Sequence, residues 1–422
     1  MNPTHPARGS RPIRVCFFID ALASAGTESQ LVATINHLDR RLVRPYLCLL
    51  REGPEEYSPL EPRDCPVIRL GIRRLLSWRA ICRLARLVRF LREQRIDVLQ
   101  LYFVDSSYAG VIAGKLAGVP RLVRVQNNLG WWMTPLHRAL MAVVHSLVDR
   151  VVVNCQACGR AVAATWRLAA RKITVLANGI DLGRFPAEGL PSPTRPIRRV
   201  GIVANLRPVK DVANFIRAAA FLRDRYPAVV FEIAGDGEMR AELEQMAAAL
   251  GMTDRIHFLG TVGDVPAFLR ELDVAVLTSL SEGMSNALLE YMAAARPIVA
   301  TAVGGNTELI EHERTGLLVP PGDAPALAAA LARLLDDPPL AERLGRQARR
   351  HVEQHYGRGH ATRRFEAFLV ELVRSTGGGS AWGVPPDFGG TRVQPRREVD
   401  RFALGRGTRR RAGHAGIAND PS

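Results

Sequence analysis

From residue 14 the chain alternates short, mainly apolar, β-rich runs with longer stretches whose apolar positions recur every three or four residues. Runs of the first kind are expected to be buried parallel strands, and stretches of the second kind helices that cover them. Strands are predicted at 14–19, 46–50, 98–101, 122–125, 151–153 and 173–176, and the alternation resumes at 199–203, 229–234, 256–259, 274–277 and 298–300. The proline-rich stretch between the two series, with Pro191, Pro193 and Pro196, cannot continue regular structure. The pattern predicts an α/β protein of two doubly wound, Rossmann-like domains facing each other across a cleft. Their expected limits are a flexible N-terminus at 1–12, a first domain at 13–190, a linker at 191–197 and a second domain at 198–355. A helix at 356–374 is expected to cross back to the first domain, followed by a disordered Gly/Pro/Arg-rich tail at 375–422. Open parallel sheets bind ligands beyond the carboxyl ends of their strands, so the site is expected between the domains.

Composition narrows the setting. The 422 residues, 47% hydrophobic and 23% charged, are ordinary for a globular protein with two cores. No apolar run approaches the roughly 20 residues that span a bilayer. The apolar stretch 15–19 ends at Asp20, too short for a signal peptide, and the protein is expected to be cytoplasmic. The six cysteines suggest no disulfide framework; Cys155 and Cys158 form a C-x-x-C pair, but no second pair completes a zinc site, and no metal is expected.

Net charge is +16, and only Lys115, Lys172 and Lys210 among the 57 cations are lysine. Such a chain meets anions: nucleic acid, anionic lipid or a phosphorylated substrate. The arginines are dispersed and lack stacking aromatics, so nucleic acid is not expected as a partner. Residues 72–95 carry arginines beside Ala80, Leu84, Leu87 and Leu91 at helical spacing. Two readings stay open for this helix: an apolar stripe packed on the first domain with solvated arginines, or docking to an anionic membrane surface. The tail cluster Arg409-Arg410-Arg411 is expected to be solvated.

The chemistry-bearing residues sit at predicted strand ends. Gly26-Thr27-Glu28 follows the first strand and opens a helix over 29–38, where free amides favour an anion, without the G-x-G-x-x-G spacing of a dinucleotide site. Asn205-Leu206-Arg207-Pro208-Val209-Lys210 follows the first strand of the second domain, which sets Arg207 and Lys210 where ligands bind. Glu282 lies in the loop after 274–277, and Glu290 one turn into the next helix. Two acids beside an anion-binding helix start suit a diphosphate linked to two polyols, the acids holding hydroxyls. His137 and His145 are read as structural, and Trp131-Trp132-Met133 as an apolar cluster that lines an acceptor site, meets a lipid or packs in the core.

Glu282 and Glu290, eight positions apart within Ser281-Glu282-Gly283-Met284-Ser285-Asn286-Ala287-Leu288-Leu289-Glu290, resemble the Glu-x7-Glu motif of the retaining GT-B glycosyltransferases of group 1, or family 4. The resemblance covers about 13–372 and includes Asn178-Gly179-Ile180-Asp181, Gly235-Asp236-Gly237, Leu259-Gly260 and Gly304-Gly305-Asn306-Thr307-Glu308. It implies a GT-B fold and a sugar moved from a nucleotide-diphosphate-sugar to a glycan or lipid-linked acceptor, in polysaccharide or cell-envelope glycan synthesis on the inner membrane face. It implies no cofactor beyond that co-substrate. Arg207 and Lys210 would stabilise the departing diphosphate and Glu282 would hold the donor sugar. Glu290, Gly283, Met284, Ser285, Asn286, Gly235, Leu259 and Gly260 would complete the donor site; Gly26, Thr27, Asn127 and Asn128 would face the acceptor. Asn205 stands where the family usually has arginine, and 125–130 lacks the histidine many members place near the acceptor. Alternatives are a GT-B epimerase or phosphorylase and, from another class, a basic nucleic-acid-binding protein.

Overall fold

The structure, a computed structural model, describes residues 11–22, 26–52, 61–128, 133–186 and 196–375. The expectations for 1–10, Ala25, Leu129 to Trp132, most of the linker and the tail with Arg409 to Arg411 lie outside the described residues.

The first half is a seven-stranded sheet, all neighbours parallel, built from β1 (Ile13–Ile19), β2 (Val43–Leu49), β3 (Val67–Arg69), β4 (Val98–Leu101), β5 (Arg121–Gln126), β6 (Arg150–Val153) and β7 (Ile173–Val175). The strand order is β3-β2-β1-β4-β5-β6-β7. Its helices are α1 (Gly26–His37), α2 (Trp78–Glu93), α3 (Asp105–Ala117), α4 (Pro135–Leu147) and α5 (Gln156–Trp166). The second half is a six-stranded parallel sheet of β8 (Arg199–Val203), β9 (Val230–Ala234), β10 (Ile256–Gly260), β11 (Val274–Leu277), β12 (Ile298–Thr301) and β13 (Leu317–Val319), in the order β10-β9-β8-β11-β12-β13. Around it lie α6 (Val212–Leu222), α7 (Arg240–Ala249), α8 (Val265–Glu271), α9 (Asn286–Ala293), α10 (Asn306–Leu309), α11 (Ala324–Asp336) and α12 (Pro338–His355); α13 (Arg358–Arg374) ends the described chain. Two such sheets with helices on both faces make a GT-B fold.

The continuous apolar runs exist because both faces of each sheet are covered. Along β1, Cys16 and Phe18 join one core and Val15, Phe17 and Ile19 the opposite one, all fully buried. Each large side chain so buried contributes about 1.5–3 kcal/mol. The face of Phe17 is closed partly by α13, whose Phe365, Phe368, Leu369 and Leu372 pack there. The chain returns for this purpose beside the loop at Ile180, which donates to Tyr356 O and accepts from Arg358 N, both at 2.8 Å.

Four expectations shift. The edge strands β3 and β13 were not anticipated, because three residues are too few for a periodicity. The helix expected over 72–95 begins at Trp78, since the Ser77 hydroxyl accepts from Ala80 N at 3.2 Å and caps it. The helix expected over 29–38 already starts at Gly26, and the strand expected at 46–50 at Val43. Among the described residues no helix is long and apolar enough to cross a membrane.

Candidate active site in the cleft

The second half assembles its site at the carboxyl ends of β8 and β11. After β8 the chain turns through Asn205 to Lys210, and after β11 through Thr278 to Ser285, and the two loops are stitched together: Leu280 N donates to Val209 O at 2.9 Å and the Thr278 hydroxyl to Lys210 O at 2.8 Å. This brings Lys210 Nζ to 2.5 Å from Glu282 Oε1, which also accepts from the Ser279 hydroxyl at 2.7 Å. The pair is mostly buried, the side chains retaining 26% and 11% of their exposure, so neither charge is dispersed in bulk water. Arg207, by contrast, is exposed.

Helix α9 starts beside this pair. Ser285 caps it by accepting from Leu288 N at 3.3 Å, and the helix start leaves other first-turn amides without an intrahelical partner. Glu290 follows on α9, its carboxylate with no hydrogen bond among the described residues; burial pushes that carboxyl up to about 7, with the Arg184 charge pulling the other way. Tyr291 anchors α9 below the loops, its phenol accepting from Val203 N at 2.7 Å.

Glycines let the backbones close up. A Cβ on Gly304, whose φ is +49°, would come 1.8 Å from Glu282 O, and one on Gly283 would come 2.3 Å from Asn127 O in the first half. Gly283 is therefore where the loop after β11 meets the opposite wall of the cleft. Asn286 fastens the same seam: its amide donates to Gly26 O at 3.0 Å and accepts from Asn178 at 2.8 Å and Gln30 at 3.1 Å. Met284 is buried and its sulfur accepts from Asn178 N at 3.3 Å. The side chains of Asn286 and Met284 are thus occupied by the interdomain seam, and only their backbone is left for a donor.

The remaining residues fall in two groups. Gly235 and Gly260 bridge the ends of β9 and β10, Gly235 N donating to Gly260 O at 2.7 Å, with Leu259 exposed beside them. On the first half, Thr27, Asn127 and Asn128 line a cavity of about 440 Å³ together with Asp20, Asp105, Arg124, Met133 and His137; Gly26 is not in its wall.

Arg124 escaped the sequence reading, whereas Glu28, Glu308, Cys155 and His145 were named there without the surroundings the fold gives them. Arg124 lies on β5 inside the sheet, 3% exposed; among the described residues its guanidinium makes only two hydrogen bonds, at 3.5 Å, to Leu101 O and Gln126 Oε1, with Nε unmet. Burial lowers its pKa to about 10, with Asp20 opposing the loss. Its signal was a lone arginine inside the apolar run 122–125. Glu28 is buried with Oε2 unmet; burial raises its pKa, and the Arg207 charge across the cleft opposes this. Glu308 reaches from the second half to cap α5, accepting from Gln156 N and Ala157 N at 2.8 and 2.7 Å. Cys155 sits at that cap, and hydrogen bonding from Cys158 lowers its pKa. His145 is buried edge-on to Trp166, the ring centroids 4.5 Å apart, and desolvation lowers its pKa to about 3.

Both halves of this arrangement match one family. Residues 196–351 match the family described as Glycosyl transferases group 1, and residues 24–184 that described as Glycosyltransferase Family 4. The chain belongs to glycosyltransferase family 4. Among its relatives, the D-inositol 3-phosphate glycosyltransferase of Salinispora tropica is 32% identical over 61% of this chain and 60% of its own length. The 2-deoxystreptamine glucosyltransferase of Streptomyces kanamyceticus is 29% identical over 68% and 80%, and the lipopolysaccharide core biosynthesis glycosyltransferase LpsD of Rhizobium meliloti 29% over 76% and 87%. The chain thus spans less than two thirds of the Salinispora enzyme. Anabaena HepE, solved with UDP and glucose, superposes with a TM-score of 0.75 over 85% of this chain and 100% of its own at 21% identity, which shows the shared fold. In this family 4 chain the pair Lys210–Glu282 and the start of α9 occupy one wall of the cleft, and the 440 Å³ cavity belongs to the other half.

Proposed function

We propose that the protein transfers a hexose-type sugar from a nucleotide-diphosphate-sugar to a glycan or lipid-linked acceptor, with retention of anomeric configuration and without a metal ion. One observation carries this: a lysine and an acid held together at a helix start, with a second, half-buried acid one turn in whose carboxylate has no hydrogen-bond partner among the described residues. The diphosphate would lie against Lys210, Arg207 and the amides of 283–285, and Glu290 would accept from the ribose hydroxyls. Glu282 would release Lys210 in part and bind the donor sugar. The solved HepE complexes contain UDP or UDP-glucose, which makes a UDP-sugar the first donor to try.

In the step itself the anomeric carbon–phosphate oxygen bond breaks while the acceptor oxygen bonds to the same face. The acceptor proton passes to the departing phosphate oxygen, and the cations stabilise the charge that develops there. The acceptor would lie in the cavity lined by Thr27, Asn127 and Asn128. Relatives named for an inositol phosphate, a diphosphoundecaprenol-linked sugar and a lipopolysaccharide core support a role in glycan synthesis on the cytoplasmic side of a membrane.

A thermal-shift panel of UDP-, GDP- and ADP-sugars tests the reading, since a ligand that binds only the folded state raises its melting temperature. One nucleotide series is expected to stabilise the protein. An undiminished shift in Lys210→Ala and Glu290→Ala would overturn the site. Release of nucleotide that depends on an added acceptor separates a transferase from an epimerase or phosphorylase.

A further inference from the structure

Among the described residues, twelve large hydrophobic side chains are strongly exposed, and nine of them lie on one surface. Leu76, Trp78 and Ile81 mark the start of α2, and Ile112 and Leu116 the outer face of α3. On α4, Leu136, Leu140, Val143 and Leu147 recur at helical spacing and form an unbroken stripe from one end of the helix to the other. These helices are neighbours: α2 packs on α3, and α3 on α4, all against the same face of the first sheet. Scattered exposed leucines need no explanation, but a helical layer that gathers most of them does.

The charge of the layer says what covers it. All eight arginines from Arg73 to Arg95 are exposed, as are Lys115 and Arg138, whereas the only exposed acid on the three helices is Glu93, held by Arg89 at 2.7 Å. A second copy docked through the same face would set these cations against their own images, so self-association is disfavoured. Apolar side chains within a field of arginine suit an interface where acyl chains lie under anionic headgroups, with Trp78 at the depth that indole prefers.

We propose that the outer surface of α2, α3 and α4 is a docking face for an anionic lipid bilayer. The proposal deepens the reading of a glycan-building transferase and rests on it for one consequence. The 440 Å³ cavity is lined by Phe103, Val104 and Asp105 at the amino end of α3 and by Met133 and His137 at that of α4. Docking would therefore bring the acceptor cavity to the membrane surface, where a lipid-linked acceptor is anchored.

The test is flotation at physiological salt with vesicles of phosphatidylcholine containing phosphatidylglycerol, against phosphatidylcholine alone. The full chain is expected to float only with the anionic vesicles. Leu140→Ser/Val143→Ser/Leu147→Ser, and separately Arg79→Gln/Arg83→Gln/Arg86→Gln, are expected to lower the bound fraction about tenfold or more. Both variants should keep the wild-type thermal shift with the donor, which shows that they fold and separates a failure of docking from a failure of the transferase reading. Wild-type protein that stays below the anionic vesicles, or an α4 variant that floats as well as wild type, would overturn the proposal. So would a wild-type dimer in sedimentation velocity that the α4 variant abolishes, since the face would then belong to a second copy.

Discussion

Lys210 Nζ lies 2.5 Å from Glu282 Oε1, and the contact joins the two loops on which the proposed donor site is built. Removing the lysine leaves a carboxylate with 11% exposure facing no cation at that position. Lys210→Ala is therefore expected to cost about 1–3 kcal/mol of stability and on the order of a hundredfold in kcat/KM. Denaturant titration and steady-state kinetics read the two losses. Glu282→Gln should lose activity while keeping most of its stability, and a fully active K210A enzyme would remove Lys210 from the reaction.

Glu290 gives a pH dependence whose sign is fixed. Its folded pKa, about 7, lies above the ordinary 4.5, so the stability associated with its proton is complete below 4.5 and is lost as pH rises to about 7. Glu290→Gln should stabilise the ligand-free protein above pH 7 by up to roughly 3 kcal/mol, while making little difference near pH 4. Donor affinity should move the other way in wild type, strengthening as pH rises through 7 because the carboxylate is the better acceptor for ribose hydroxyls. Melting curves and donor titrations across pH 5 to 8 check both arms; a flat wild-type profile would remove Glu290 from the ribose.

Gly283 has its own signature. A methyl group there would sit 2.3 Å from the Asn127 carbonyl in the opposite half, and backbone cannot step aside as a side chain would. Gly283→Ala is expected to lower donor affinity and kcat/KM at least about tenfold, with the core of each half intact. Far-ultraviolet circular dichroism and donor titration distinguish this from general unfolding.

Arg124 is a charge inside a sheet that forms no ion pair with a carboxylate among the described residues. Arg124→Met should be neutral or stabilising in the ligand-free protein, by about 1 kcal/mol or more, because the buried ion is better replaced by an apolar side chain of similar volume. If the guanidinium contacts the acceptor from the cavity wall, KM for the acceptor rises with donor affinity unchanged. Acceptor and donor titrations on one preparation read this directly.

How far these features could be read from the residues depended on their range. The central strands were legible because a strand buried on both faces is mostly apolar, as at 98–101 and 151–153. The short edge strands Val67–Arg69 and Leu317–Val319 carry too few residues for a period and are held by pairing with β2 and β12. The acids and cations at 207–210 and 282–290 were visible because local spacing sets them at strand ends. Asn286 showed the limit: its neighbours in sequence point to a donor, whereas its side-chain partners Gly26, Gln30 and Asn178 are far off along the chain. Arg124 was hidden for the same reason, since its importance comes from what surrounds it in space.

The return of α13 to the first sheet bears on how the protein is made. Val15, Phe17 and Ile19 leave the ribosome well ahead of part of their cover, Phe365 to Leu372, which is synthesised after the whole of the second sheet. At about 5–20 residues per second, that face waits roughly tens of seconds for its lid. The nascent first half thus carries an uncovered apolar surface until α13 has emerged, and chaperone demand should fall steeply once its codons have been translated.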